Sequence, residues 1–293
     1  MKVLVTGMSG MLGADIVKIF ASQSNYKMFG ICRNKIERNN AIQFNIDITN
    51  TEAFENVLTE LQPDIIIHTA AVVDVDKCET EKMYADSLHA NYLNSIIKIS
   101  KHSYLIYISS DSVFNGKEGN YSELSQVSPL NYYAESKVNG ENLVSEKFPN
   151  ALIVRTNIFG FHNPPKPSLV EWAISKLQQN ETIGGFNDVF FNPVYTESLA
   201  EILLDLSIKK ITGIINIGSD EYLNKYEFLC LVAEIFNLDK NLIEEKSVKS
   251  INFKAERPLN TTLNTEKQKG IIGTIPSIKV DLHKLKANYS KEF

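Results

Sequence analysis

The stretch "LNYYAESK", residues 130–137, sets Tyr132 and Tyr133 shortly before Lys137. Residues four apart share one face of a helix, so Tyr133 and Lys137 can serve a single site. Tyr132 has Ser136 as its fourth neighbour, and register leaves it as a packing residue. A phenol beside an ammonium group can give a proton to an oxygen that is gaining negative charge, as in a carbonyl attacked by hydride. A free phenol ionises only at about pH 10, so the neighbouring charge of Lys137 is expected to lower its pKa. A second hydroxyl that holds the same oxygen is available in "ISSDSVF", where Ser109, Ser110 and Ser112 compete for the role. Tyrosine four before lysine is a common spacing, and a surface tyrosine with a solvated lysine fits it equally well. The rest of the chain must supply the weight.

Much of it comes from "VLVTGMSGMLGADIV". Gly7, Gly10 and Gly13 lie between a β-rich run and a segment of helical period, with Ser9, Met11 and Leu12 among them. A tight turn needs the first glycine, close approach of a pyrophosphate the second, and close helix–sheet packing the third. A dinucleotide would rest on the positive end of the helix that follows. An NAD site has an acid about 20 positions beyond such a loop. Here the second apolar run ends instead in Cys32-Arg33-Asn34-Lys35, whose cations suit a 2′-phosphate. NADP is therefore preferred to NAD, which stays possible. Asp47 and Ile48 fall where the adenine end would reach.

These residues need elements to carry them. "KVLVTG", "YKMFGICR", "PDIIIHTAA", "YLIYISS" and "ALIVRTN" read as buried strands. "MLGADIVKIFASQ", "TEAFENVLTELQ", "YADSLHANYLNSIIKISKH" and "YYAESKVNGENLVSEKF" have helical spacing. The alternation implies an α/β fold, a doubly wound parallel sheet of the Rossmann type with helices on both faces. Past residue 160 the pattern loosens, through the proline-rich loop "FHNPPKPS", a helix around 168–180, a turn and helix in "FFNPVYTESLAEILLDLS" and a strand in "GIINIGS". Residues 1–160, rejoined by 190–218, are expected to form the dinucleotide-binding domain. Residues 161–189 and 219–293 are expected to form a smaller, discontinuous substrate-binding lobe.

Composition narrows the classes. The 293 residues are 43% hydrophobic and 22% charged, and carry a formal net charge of −5. That balance suits a soluble globular protein and argues against nucleic acid or an anionic membrane as partner. Cys32, Cys78 and Cys230 have no paired spacing, and His68, His89 and His162 have no metal-like spacing. No targeting segment or bilayer-length apolar run is visible, so a cytoplasmic location is expected.

Eight motifs in order carry a family resemblance: "VTGMSGMLG", "PDIIIHTAAVVDVDKCE", "ANYLNS", "ISSDSVFNGKEGNYSE", "PLNYYAESKVNGE", "VRTNIFG", "NPVYTESLAE" and "ERPLNTTLNT". Over nearly its whole length the chain resembles the extended short-chain dehydrogenase/reductases, and among them the dTDP-4-dehydrorhamnose reductase family. The resemblance implies an NADP-dependent reductase of the 4-keto group of a nucleotide-linked deoxysugar, a possible homodimer, with Tyr133 as proton donor. It singles out Ser110 as the serine and gives Lys137 the nicotinamide ribose hydroxyls. It assigns Asn91 to positioning the lysine and a water relay. Thr69, Ala70, Ala71 and Val73 would line the cofactor, and Ser112, Asn157, Asn192 and Arg257 the sugar nucleotide, with Arg257 suited to a diphosphate. One departure is that "RTNIFG" lacks the tryptophan often found there; the only tryptophan is Trp172. An epimerase or dehydratase on the same scaffold is the nearest alternative, although no Glu follows Asp111 as dehydratases usually require. A non-catalytic NADP-binding regulatory subunit is another.

Overall fold

The computed structural model describes all residues except 37–39, 164–165 and 293, and all side chains up to Asn288. Part of the "FHNPPKPS" loop therefore lies outside the described residues. The alternation of short apolar runs with amphipathic segments produces β1 (Lys2–Thr6), α1 (Met11–Ala21), β2 (Lys27–Cys32), β3 (Ile42–Asn45), α2 (Thr51–Leu61) and β4 (Ile65–His68). In α2 the buried set is Phe54, Val57, Leu58 and Leu61, a single helical face. Asn50 caps that helix by accepting the Ala53 amide, and Gln62 ends it in the left-handed region at φ 46°.

Next come α3 (Val75–Thr80), α4 (Lys82–Asp86), a π-helical turn at Ser87–Asn91, α5 (Leu93–Ser100), β5 (Tyr104–Ile108), α6 (Tyr132–Lys147) and β6 (Ala151–Thr156). Sequence periodicity suggests one long helix over "YADSLHANYLNSIIKISKH"; the wide turn divides it. Short β7 (Ile158–Phe159), α7 (Leu169–Gln178), β8 (Ile183–Phe186), β9 (Phe190–Phe191) and β10 (Val194–Tyr195) lead to α8 (Thr196–Ile208) and β11 (Gly213–Ile217). The remainder forms β12 (Leu223–Asn224), α9 (Lys225–Phe236), β13 (Ile243–Lys246), α10 (Glu266–Ile272) and α11 (Ile278–Glu292).

Seven parallel strands build the main sheet in the order β11-β6-β5-β4-β1-β2-β3. Strand order reverses between β1 and β4, so a crevice opens there at the carboxyl ends of the strands. One apolar layer lies on the α1 and α8 side of the sheet, built around Val5, Ile16, Phe20, Leu199 and Leu203. The layer on the other side is built around Phe54, Leu58, Leu93, Ile96, Tyr107 and Val144. Separate clusters join α7, α9 and α11 through Val170, Ile174, Phe228, Val232 and Leu282, and through Ala173, Leu229 and Ile243. No described helix is long and apolar enough to cross a membrane.

Candidate active site

The turn after β1 and the segment after β4 meet at the strand-order reversal. Gly7 has φ +73°, and a Cβ on it would come within 2.7 Å of the Ala70 nitrogen. A Cβ on Gly13 would lie 2.2 Å from the Gly7 carbonyl oxygen. Glycine is therefore required at both positions by contact with backbone. Gly10 is the N-cap of α1, with no side-chain cap and no acid in the first turn of the helix. The first-turn N–H groups near Met11 and Leu12 thus face a cradle that side chains would close, which fits a pyrophosphate. Thr69 joins the two segments by donating from Oγ1 to the Thr6 carbonyl at 2.7 Å. Ser9, Ala70 and Ala71 are half-buried around this crevice.

Beyond β2, Arg33, Asn34 and Lys35 are all exposed, and Arg33 donates to the Tyr84 hydroxyl at 3.1 Å. Asp47 folds its carboxylate onto Thr49, accepting the backbone N–H at 2.9 Å and the hydroxyl at 2.8 Å, while Ile48 is buried. Val73 does not line a packed wall, being 78% exposed.

The end of β5 and the start of α6 carry the expected serine, tyrosine and lysine. Asn131 starts α6 by accepting the Ala134 amide, and the face this helix turns inward carries Ser136, Lys137 and Glu141 beside Ala134, Gly140 and Val144. Burying polar residues on one helix face requires partners, and each has one. Glu141 receives Arg155 through two nitrogens, at 2.7 and 3.0 Å, and the Ser109 hydroxyl at 2.6 Å. Ser109 is thereby removed from the competition for the carbonyl-holding role. The Lys137 amine donates to the Ile108 carbonyl at 3.1 Å and lies 5.3 Å from the Tyr107 ring centre. Tyr107 fixes the helix in turn: its hydroxyl donates to the His89 carbonyl at 2.9 Å, and a Cβ on Gly140 would come within 2.2 Å of it.

Ser110 follows β5 and is buried; it accepts the Ser112 amide at 3.1 Å and donates to Asp111 Oδ1 at 3.1 Å. Its hydroxyl also hydrogen-bonds the Tyr133 side chain. Burial pushes the Tyr133 phenol up to about 12; the bond from Ser110 lowers it and the charge of Asp111 raises it further. Within the chain alone the lowering thus comes from Ser110, whereas sequence reasoning assigned it to Lys137. Burial lowers the Lys137 amine to about 8, with Glu141 and Cys78 opposing. Tyr132 points elsewhere, its hydroxyl donating to Asp86 at 2.6 Å.

Asn91, expected from the resemblance to position the lysine, ends the π turn. Its side chain is exposed and its carbonyl accepts the Asn94 amide at 3.1 Å. His89, in the same turn, is buried. The Val72 N–H donates to its Nε2 at 3.0 Å, so Nδ1 carries the hydrogen and donates to the Ser136 hydroxyl at 2.7 Å. Ser136 passes its own hydrogen to the Tyr133 carbonyl at 2.8 Å. Burial, with Lys137 and His68 nearby, holds His89 well below its ordinary pKa, so the ring is neutral. It stands edge-on to the Tyr133 ring at 5.6 Å and ties the segment after β4 to the first turn of α6. Sequence reading gives His89 no role beyond a structural or solvated residue, because its partners lie 17 and 47 positions away.

The expected substrate residues divide. Ser112 and Asn157 stay at the site, both bonded to Asp111. Asp111 is the hub: its carboxylate accepts Ser110, Ser112, Asn157 at 2.9 Å and Thr261 at 2.5 Å. Asn192 is buried with its amide fully engaged, donating to the Ser219 and Leu263 carbonyls and accepting the Leu263 N–H at 2.9 Å. It is a clamp between segments and leaves no group for a substrate. Arg257 pairs with Asp76 at 3.1 Å and stacks on Phe253 at 4.8 Å, so its guanidinium is an ion-pair partner within the chain.

A parallel sheet with its crevice at the strand reversal, a glycine cradle and a serine–tyrosine–lysine set define an extended short-chain dehydrogenase/reductase, a class of NAD(P)-dependent oxidoreductases. The chain belongs to the family described as the RmlD substrate binding domain, which matches residues 1–290. It is similar to the probable low-salt glycan biosynthesis reductase Agl14 of Haloferax volcanii, 27% identical over 99% of both chains. Methionine adenosyltransferase 2 subunit beta of Rattus norvegicus is 29% identical over 91% of this chain and 81% of its own length. Among solved structures, dTDP-4-dehydrorhamnose reductase from Bacillus anthracis, in complex with NADP, superposes with a TM-score of 0.87 at 25% identity, covering 98% of this chain and 99% of that one.

Proposed function

We propose that the protein reduces the 4-keto group of a nucleotide-linked deoxysugar, with dTDP as the carrier nucleotide and NADPH as reductant. One observation supports the reading: Ser110, just past β5, hydrogen-bonds Tyr133, and Lys137 on the same helix donates to the Ile108 carbonyl at the end of that strand. A dinucleotide held at the glycine cradle would supply the hydride that reduces the carbonyl carbon. Ser110, turning its one hydroxyl hydrogen from Asp111 to the substrate, holds the carbonyl oxygen by a hydrogen bond. Tyr133, kept protonated by burial, gives its proton to that oxygen as charge develops. The products are the sugar alcohol and NADP⁺. Lys137 would hold the nicotinamide ribose, and its charge would favour the tyrosinate left after transfer. The exposed cations Arg33 and Lys35 receive the 2′-phosphate, and NAD(H) is the weaker reductant.

The chain organisation supporting this reading is a dinucleotide-binding domain of residues 1–160 and 190–218 and a substrate lobe of 161–189 and 219–293. Pairing of β11 with β6 and packing of α8 against α1 agree with it. The names of the Haloferax relative and the Bacillus structure point the same way.

A panel of nucleotide-linked 4-keto sugars, with cofactor absorbance followed, tests the proposal. Stoichiometric NADPH oxidation with one of them, faster than with NADH, is the expected result. Turnover without net cofactor oxidation would instead identify an epimerase or dehydratase. Likeness to the adenosyltransferase subunit favours a second reading, a cofactor-binding subunit of a larger complex. A stable complex with a partner enzyme and no turnover on the whole panel would establish that one.

A further inference from the structure

Lys225 opens α9, where a cation runs against the helix dipole. Its backbone N–H donates to the Val189 carbonyl, and its amine lies 3.2 Å from the Phe191 ring centre. Among the described residues it has no carboxylate in ion-pair contact. Burial lowers its pKa to about 8, and the carboxylate that acts on it is Asp111. A half-buried lysine that rests on an aromatic ring, has no carboxylate in ion-pair contact among the described residues and is set against its helix dipole leaves a charge for a further partner.

Its position shows what could compensate. Asp111 accepts the Ser110 hydroxyl on one oxygen and Thr261 on the other. The Thr261 N–H donates to the Phe190 carbonyl, and β9, which holds Phe190 and Phe191, pairs with β12 immediately before Lys225. A short chain of contacts therefore runs from Asp111, beside Ser110, to this amine. Arg257, which the sequence suggests for a diphosphate, is already paired with Asp76.

We propose that Lys225, held on the face of Phe191, is the cation that receives the diphosphate of the nucleotide-linked substrate. The assignment rests on the reading of the protein as a nucleotide-sugar reductase. An ammonium point charge suits phosphate oxygens, and the aromatic ring keeps the amine oriented without neutralising it.

The test measures binding of dTDP, dTMP and thymidine to the full chain saturated with NADP⁺, for wild type, Lys225→Met, Lys225→Arg and Arg257→Met. Loss of a charge-assisted contact predicts dTDP binding about 10- to 100-fold weaker in Lys225→Met, with NADP⁺ affinity unchanged and most of the loss recovered in Lys225→Arg. Arg257→Met is expected to change dTDP affinity less than about threefold. Equal dTDP affinity in wild type and Lys225→Met overturns the assignment and leaves the reductase reading standing. Failure of wild type to bind dTDP, UDP, GDP or ADP overturns both. If Lys225→Met does not fold, reductive methylation of the wild-type amine, read by mass spectrometry, decides. Protection of Lys225 by dTDP but not by thymidine supports the assignment, and equal modification in both overturns it.

Discussion

The cofactor side of the site and its substrate side are built differently. On the expected cofactor side, Gly7 and Gly13 press against backbone, Ser110 hydrogen-bonds Tyr133, and Lys137 reaches the Ile108 carbonyl at the end of β5. On the expected substrate side, Asn192 and Arg257 are engaged within the chain, and an unsuspected lysine, Lys225, rests on the Phe191 ring. The first side rests on local rules, a strand–turn–helix and an i, i+4 spacing. The second is assembled from segments more than a hundred residues apart, such as Asp111 with Thr261. Local chemistry can be read from neighbours in the chain, whereas a wall made by long-range packing cannot.

The comparison can be broken most forcefully at Tyr133. Tyr133→Phe should lower kcat by about 10²- to 10⁴-fold, the usual contribution of a general acid, with NADP⁺ affinity within about twofold. Activity near wild type would show that convergence on the cofactor side is only packing. Next in size is the pH profile. Lys137 is protonated below about 8, so kcat/KM should fall as pH rises through that value, approaching about tenfold per unit above it. Tyr133 stays protonated to about 12 and does not set this limb. Lys137→Arg should carry the limb to higher pH; an unmoved limb would assign it to another group. The smallest catalytic effect is expected at Asn192. Asn192→Ala should destabilise the fold by about 1–3 kcal/mol, through unpaired buried backbone groups, while KM changes less than about threefold. A large rise in KM with unchanged thermal stability would return Asn192 to the substrate wall.

Legibility followed the same division within the fold. Strands such as "DIIIH" and "YLIYIS" announce themselves as continuous apolar runs, and helices such as α2 by a single buried face. β3 escapes notice because an edge strand of four residues, with Ile42 49% exposed, shows neither alternation nor a run. The π turn is invisible because its residues have ordinary helical propensity, yet within it His89 is buried against Ser136 and Asn91 is exposed. One local signal was available for the residue missed on the substrate side: Lys225 contradicts the charge preference of the helix it begins.

The bond from Thr261 to Asp111 has a consequence in time as well as in space. Synthesis from the N-terminus delivers β1 to β6 long before Thr261, and such a sheet can begin to fold as it emerges. Ser110 nevertheless shares its carboxylate partner with a threonine that arrives near the end. A nascent chain could hold its dinucleotide cradle complete while the serine still lacked its final orientation. The final setting of the Ser110–Asp111 pair would then be among the last features the growing chain acquires.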